Sequence, residues 1–221
     1  MLARAEAAFK ARRLDNVRSA ASLWSAAAML EETRVEALIG ATRARVWLAD
    51  REHDEDRRDT LAREAVESGQ WCERTAPADP RCIYWLAVAL GVQARERRST
   101  ALDALERIVS RLKQAIALDP DLDHGGPHRV LALVYLRAPG WPAGPGDPEL
   151  GLEQARAAAA ADPDYPPNLL ALGEAFAAVE DRAASRAAYT AALEKAQLLA
   201  NQGDPEADRW LTEARGGAGE P

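Results

Sequence analysis

Apolar residues return every three to four positions along most of this chain, and the breaks between those stretches divide it into helices. Met1 to Lys10 and Leu14 to Leu30 read as an opening pair, with Ala20, Trp24 and Ala27 alternating small and large side chains on the second helix. Thr33 stands three residues before Glu36, a capping-box spacing, so a third helix is expected to run to about Ala49 and to bury Leu38, Ile39, Val46 and Trp47. The polar turn from His53 to Asp56 starts a fourth helix, which carries Leu61, Ala65 and Trp71 and stops before Pro77 and Pro80. Tyr84 to Gly91 is apolar almost all round, so the fifth helix should be the most buried. Ser99 is placed to cap its partner, which runs through Leu102, Leu105, Ile108 and Leu112 to Leu118. Asp204-Pro205-Glu206 opens a last helix with Trp210 and Leu211 on its apolar edge, ended by Gly216-Gly217.

Between His124 and Ala192 the pattern is written twice. The later copy places Leu169, Leu172, Gly173 and Phe176 on one helix and Ser185, Tyr189 and Ala192 on the next, the spacing of the tetratricopeptide repeat. Gly173 lets a neighbouring helix approach, and Tyr189 supplies the bulk between small contacts. The earlier copy has His128, Leu131, Ala132 and Tyr135, then Ala155 and Ala158. Leu169 lies 41 residues after His128, longer than the usual period of about 34, and the excess falls in Ala138 to Asp147, where Pro and Gly forbid a helix. Asp147-Pro148 restarts the helix as cap and first residue. The third pair has two registers, with either Trp85 and Ala89 or Leu90 and Gly91 in the signature slots. Together these readings predict an all-α, tetratricopeptide-like superhelix of about five helix pairs plus a C-terminal capping helix. One domain, 1–221, is expected, with repeats near 1–33, 34–80, 81–120, 125–163 and 166–199 and the cap near 205–215.

The Pro/Gly turn in a late repeat, together with Tyr84-Trp85-Leu86-Ala87 and Ala117-Leu118-Asp119-Pro120, resembles the accessory T component of tripartite periplasmic (TRAP) transporters. The regulators of microtubule dynamics are similar almost as closely. The TRAP resemblance implies a bacterial, non-enzymatic accessory protein of a periplasmic solute-uptake system that docks a solute-binding protein and forms a homotrimer with apolar channels. The alternative is a cytosolic scaffold bridging other proteins. Met1 to Arg13 alternates Ala with Arg and Glu and has no apolar run of signal-peptide length, so an exported protein is expected here in a mature or truncated form.

Composition narrows the chemistry. Hydrophobic residues make up 48 %, much of it alanine, with aromatics at 5 %, which suits close-packed helices better than sheets. A net charge of −7 argues against nucleic acid as partner. His124 and His128 are four apart, but Gly125-Gly126-Pro127 between them denies a helical metal pair, and Asp54 to Asp56 and Asp119 to Asp123 lack calcium-loop spacing, so no metal and no cofactor are expected. No catalytic or nucleotide motif is present in the sequence. Cys72 and Cys82 flank a turn between two helices; a disulfide would fit an exported protein and two buried thiols a cytosolic one.

The first helix of each pair is expected to line a groove. Carrying the repeat register over places Leu86 and Leu90 there from the third pair, Arg129, Leu133 and Leu136 from the fourth, and Leu170 and Glu174 from the fifth. That row favours a small apolar ligand or a buried partner element, unless its leucines simply pack on the adjacent helix. Trp141, held among Pro139, Gly140 and Pro142, either docks a partner or fills the gap opened by the long repeat.

Overall fold

The computed structural model of the chain describes residues 1–96 and 101–219. Its regular elements are helices, and the only β-type pairing among the described residues is an isolated bridge between Gly140 and Gly146. The chain forms two compact units, Met1–Ala115 and Ile116–Pro221. Ser99, the expected cap of the sixth helix, lies outside the described residues.

The first unit holds α1 (Leu2–Lys10), α2 (Leu14–Ala27), α3 (Arg34–Ala49), α4 (Glu55–Thr75), α5 (Pro80–Glu96) and most of α6 (Ala101–Leu118). Here α1 touches α3 and α3 touches α5, while α2 packs on α1 and α3, and α4 on α3 and α5. That is the layering of stacked helix pairs, in which each pair buries its apolar stripe against the next. Phe9 meets the edge of Trp24 at 5.4 Å, and the core continues through Leu38, Ile39 and Leu48. Arg45 of α3 ties three helices together by donating to Ser25 of α2 and to Glu64 and Ser68 of α4.

Two expectations are corrected in this unit. The hydroxyl of Thr33 caps nothing in α3; it donates to the Ala27 carbonyl at 2.8 Å, because a short 3-10 turn, Glu31–Thr33, turns it back toward the end of α2. That turn also ends α2 at Ala27, leaving Met29 and Leu30 exposed. The cap of α4 forms where the acids of the turn were expected to start it, with Asp54 accepting from the Arg57 N–H. Cys72 of α4 and Cys82 of α5 are joined by a disulfide across a Cα separation of 5.3 Å, within the range such a bond requires. In α5, Ala89 is fully buried whereas nothing lies near a side chain built on Gly91, which selects the register with Trp85 and Ala89 in the signature slots.

The second unit holds the end of α6 with α7 (Leu122–Arg137), α8 (Pro148–Ala161), α9 (Pro166–Ala178), α10 (Arg182–Asn201) and α11 (Ala207–Ala218). Helices α7, α9 and α11 touch in sequence, with α8 and α10 behind them. Tyr189 of α10 is the pivot. Its ring lies between Gly173 of α9 and Gly217 of α11, and a methyl group at Gly173 would sit 2.9 Å from it. Ser185 adds a hydroxyl donated to the Gly173 carbonyl. For the same reason Gly216-Gly217 does not end α11: Gly217 is where the helix crosses the ring, and the stop comes at Gly219, in the left-handed region at φ 76°. Trp24 lies against Gly40 of α3 in a parallel arrangement.

Candidate functional site

The residues expected to line a groove do not form a continuous apolar row. Leu86 and Leu90 are 1 % and 4 % exposed, and Leu86 packs against α4 at Gly69. Leu170 is 4 % exposed, in a cluster with Ala192 of α10 and with Ala214 and Trp210 of α11, since the last helix covers this part of α9. Leu133 is half-buried, and Leu136 packs beside Ala132, Leu152 and Ala175. Glu174 faces Arg137 in a two-pronged ion pair at 2.6 and 2.8 Å, so this stretch of α7 and α9 is polar. Burial and the nearby Glu174 and Glu213 carboxylates push the Tyr189 hydroxyl up, against the opposing Arg137.

Arg129 belongs to a network that repeat arithmetic alone did not reveal. Asp123, His124 and Gly125 all have positive φ, at 52°, 60° and 71°, so the start of α7 is interrupted by a left-handed turn, a costly conformation for the first two. Asn168 of α9, fully buried, holds that turn. Its two amide N–H groups are shared among the carbonyls of His124 at 2.9 Å, Ala158 at 2.8 Å and Asp162 at 3.0 Å, and its oxygen accepts from Arg129 at 2.8 Å. His124 pairs through Nδ1 with Asp162 at 2.7 Å and stacks on Tyr165 at 4.3 Å, and Tyr165 meets the edge of Trp210. Burial works against the Asp162 carboxylate, yet the His124 bond and the Asp164 and Tyr165 N–H groups outweigh it and hold the group below the usual carboxylate range. The signal in the sequence was an amide in the first turn of an otherwise apolar helix, which needs partners once buried. His128 accordingly pairs with Gln154 rather than with His124.

Trp141 is 90 % exposed, more than any other large apolar side chain among the described residues. It fills no gap. The loop that holds it closes on itself: Gly146 donates to the Pro139 carbonyl, Ala143 and Gly144 to that of Gly140, and Asp147 to that of Tyr135. Asp147 then caps α8 by accepting from Glu149 and Leu150. A loop braced by such bonds presents its tip with little ordering cost on binding.

Among the described residues no group of His, Cys, Asp and Glu is arranged to hold a metal ion, and no helix is long and apolar enough to cross a membrane. No protein-family model matches the sequence, and neither does any curated protein. Solved structures do share the fold. The thermophilic TPR protein TTC0263 of Thermus thermophilus is 22 % identical, with 94 % of this chain and 95 % of that chain covered at a TM-score of 0.69. MamA is 18 % identical over 85 % of this chain and 92 % of its own, at a TM-score of 0.53. The chain has the tetratricopeptide fold.

Proposed function

We propose that this chain is a non-catalytic tetratricopeptide scaffold that binds protein subunits, with Trp141 as its anchor. One observation carries that reading: a tryptophan 90 % exposed at the tip of a loop braced by backbone hydrogen bonds. Covering such a ring removes a large apolar surface from water, and aromatic anchors of this kind dominate interface energies. The finer reading is an accessory component of a periplasmic TRAP-type solute-uptake system that docks a solute-binding protein and assembles as a homotrimer. Its support is the resemblance carried by Tyr84 to Ala87, Ala117 to Pro120 and the Pro/Gly turn, and the Cys72–Cys82 disulfide, a bond that persists in oxidising compartments. A small apolar ligand has less support, because Leu86, Leu90 and Leu170 are buried among helices.

The test is crosslinking of tagged protein in periplasmic extract of its bacterial host, with captured chains identified by mass spectrometry. Wild type is expected to capture a solute-binding protein. Trp141→Ala is expected to lose that capture with its melting temperature unchanged, since the ring is almost wholly in solvent. Capture that survives the substitution overturns the role of the loop, and absence of any solute-binding protein overturns the uptake reading.

A further inference from the structure

The Met1–Ala115 unit carries a pocket of about 310 Å³ on the face formed by α1 and α3. Leu2 and Ile39 wall it, and the Trp24 ring, lying against Gly40, forms part of its lining. Its rim is charged in a particular way. Arg43 lies 3.9 Å from Glu6, with its guanidinium 5.0 Å from the Phe9 ring and 5.7 Å from the Trp85 ring, while Glu36 is ion-paired to Arg81 at 2.8 Å. An apolar slot with carboxylates at its mouth and a guanidinium already placed among aromatic rings suits one side chain above others. An indole offers a flat apolar body, a π face for the cation and a single N–H for a carboxylate.

The same chain presents an exposed indole on its other unit. Residues 138–146, around Trp141, carry no charge at all in a chain that is 29 % charged, so burying this loop against a second surface strips no ion of its water. We propose that Trp141 of one copy seats in the α1/α3 pocket of a second copy. The inference rests on reading Trp141 as a docking anchor, and it names what the anchor enters, so that a solute-binding protein is captured by the assembled copies rather than by the ring itself. Knob and pocket are different surfaces of the chain, so two copies either seat both knobs reciprocally in a closed dimer or join head to tail. In the head-to-tail case each bound copy still offers a free knob or a free pocket, and the assembly grows until it closes as a ring or continues as a filament.

Sedimentation of the purified full chain over a wide concentration range tests this. Wild type is expected to form species of two or more copies. Trp141→Ala removes the knob, and Ala3→Arg, at an exposed position lining the pocket, blocks the hole; each alone is expected to weaken self-association at least about tenfold. Mixed in equal amounts they should form a two-chain complex and nothing larger, because one copy then has only a pocket and the other only a knob. Circular dichroism melting checks that both variants are folded, and Leu2→Arg supplies a second block on the same wall. The proposal is overturned by a monomeric wild type, by Trp141→Ala associating as wild type does, or by a mixture that stays monomeric. If purified wild type is monomeric while Trp141→Ala loses partner capture in extract, the anchor stands and its seat is on another protein. If neither changes, both readings fall together.

Discussion

Asp79 stands where the short disulfide-closed loop turns into α5, and its carboxylate accepts from the Arg81 backbone N–H at 2.9 Å and from the Arg81 guanidinium at 2.7 and 3.1 Å. The guanidinium bond chiefly, helped by the Arg81 and Cys82 N–H groups and opposed by burial, holds this carboxyl below its ordinary value of 3.8. A depressed folded-state pKa stabilises the protein above the unfolded value, and that contribution is lost as the pH falls through the folded one. Asp79→Ala should therefore cost about 1 kcal/mol at neutral pH, as the loss of a helix cap does, and clearly less at pH values below the folded pKa, where wild type has lost the same contribution. Urea unfolding of both proteins at neutral and strongly acidic pH measures the gap. An undiminished gap in acid would mean the charge plays no part.

At the scale of the element, the polar turn into α7 depends on Asn168 more than on any capping residue. Asn168→Ala would remove the amide that the carbonyls of His124, Ala158 and Asp162 share and one of the acceptors of Arg129, at a cost of about 1 to 3 kcal/mol. Chemical denaturation with a loss below about 1 kcal/mol would show that water or a shifted backbone replaces the amide easily. Helices were legible in the sequence because apolar spacing, Pro and Gly are local signals, and the contacts of Gly173, Ser185 and Tyr189 follow the repeat register. What the spacing did not disclose depends on tertiary contact. Thr33 has the cap signature but is turned away by the helical turn before it, α11 runs through two glycines because one of them receives a ring, and Asn168 acquires its role only when residues 123–125 fold against it. The candidate site was half legible for the same reason. Trp141 stood out by its prolines, whereas whether Leu86, Leu90 and Leu170 faced a groove or a neighbouring helix depended on packing that a one-dimensional pattern does not contain.

For the molecule as a whole, the disulfide is the covalent constraint with the widest reach. It joins α4 to α5 at residues 1 % and 0 % exposed, and Cys72 sits beside the Val35 carbonyl of α3. Its sequence separation of 10 implies that reduction lowers stability by about 2 to 3 kcal/mol in the chain-entropy account. Urea unfolding with and without reductant reads this directly. A midpoint that does not move would mean that packing between α4 and α5 already imposes the constraint. If the protein works in an oxidising compartment, that increment is present throughout its working life; in a reducing one it would be forfeited.

The exposure of Trp141 also makes the protein its own optical reporter. The chain has six tryptophans, of which Trp24 is 3 % exposed, Trp47, Trp71, Trp85 and Trp210 are half-buried, and Trp141 is almost wholly in water. A water-soluble collisional quencher should therefore extinguish one component of the fluorescence far more readily than the rest, and Trp141→Phe should delete that red-shifted component while leaving the blue-shifted remainder. Once the ring is covered by whatever it docks to, the easily quenched component should become protected and shift to shorter wavelength. The emission spectrum then follows assembly in dilute solution without any attached dye.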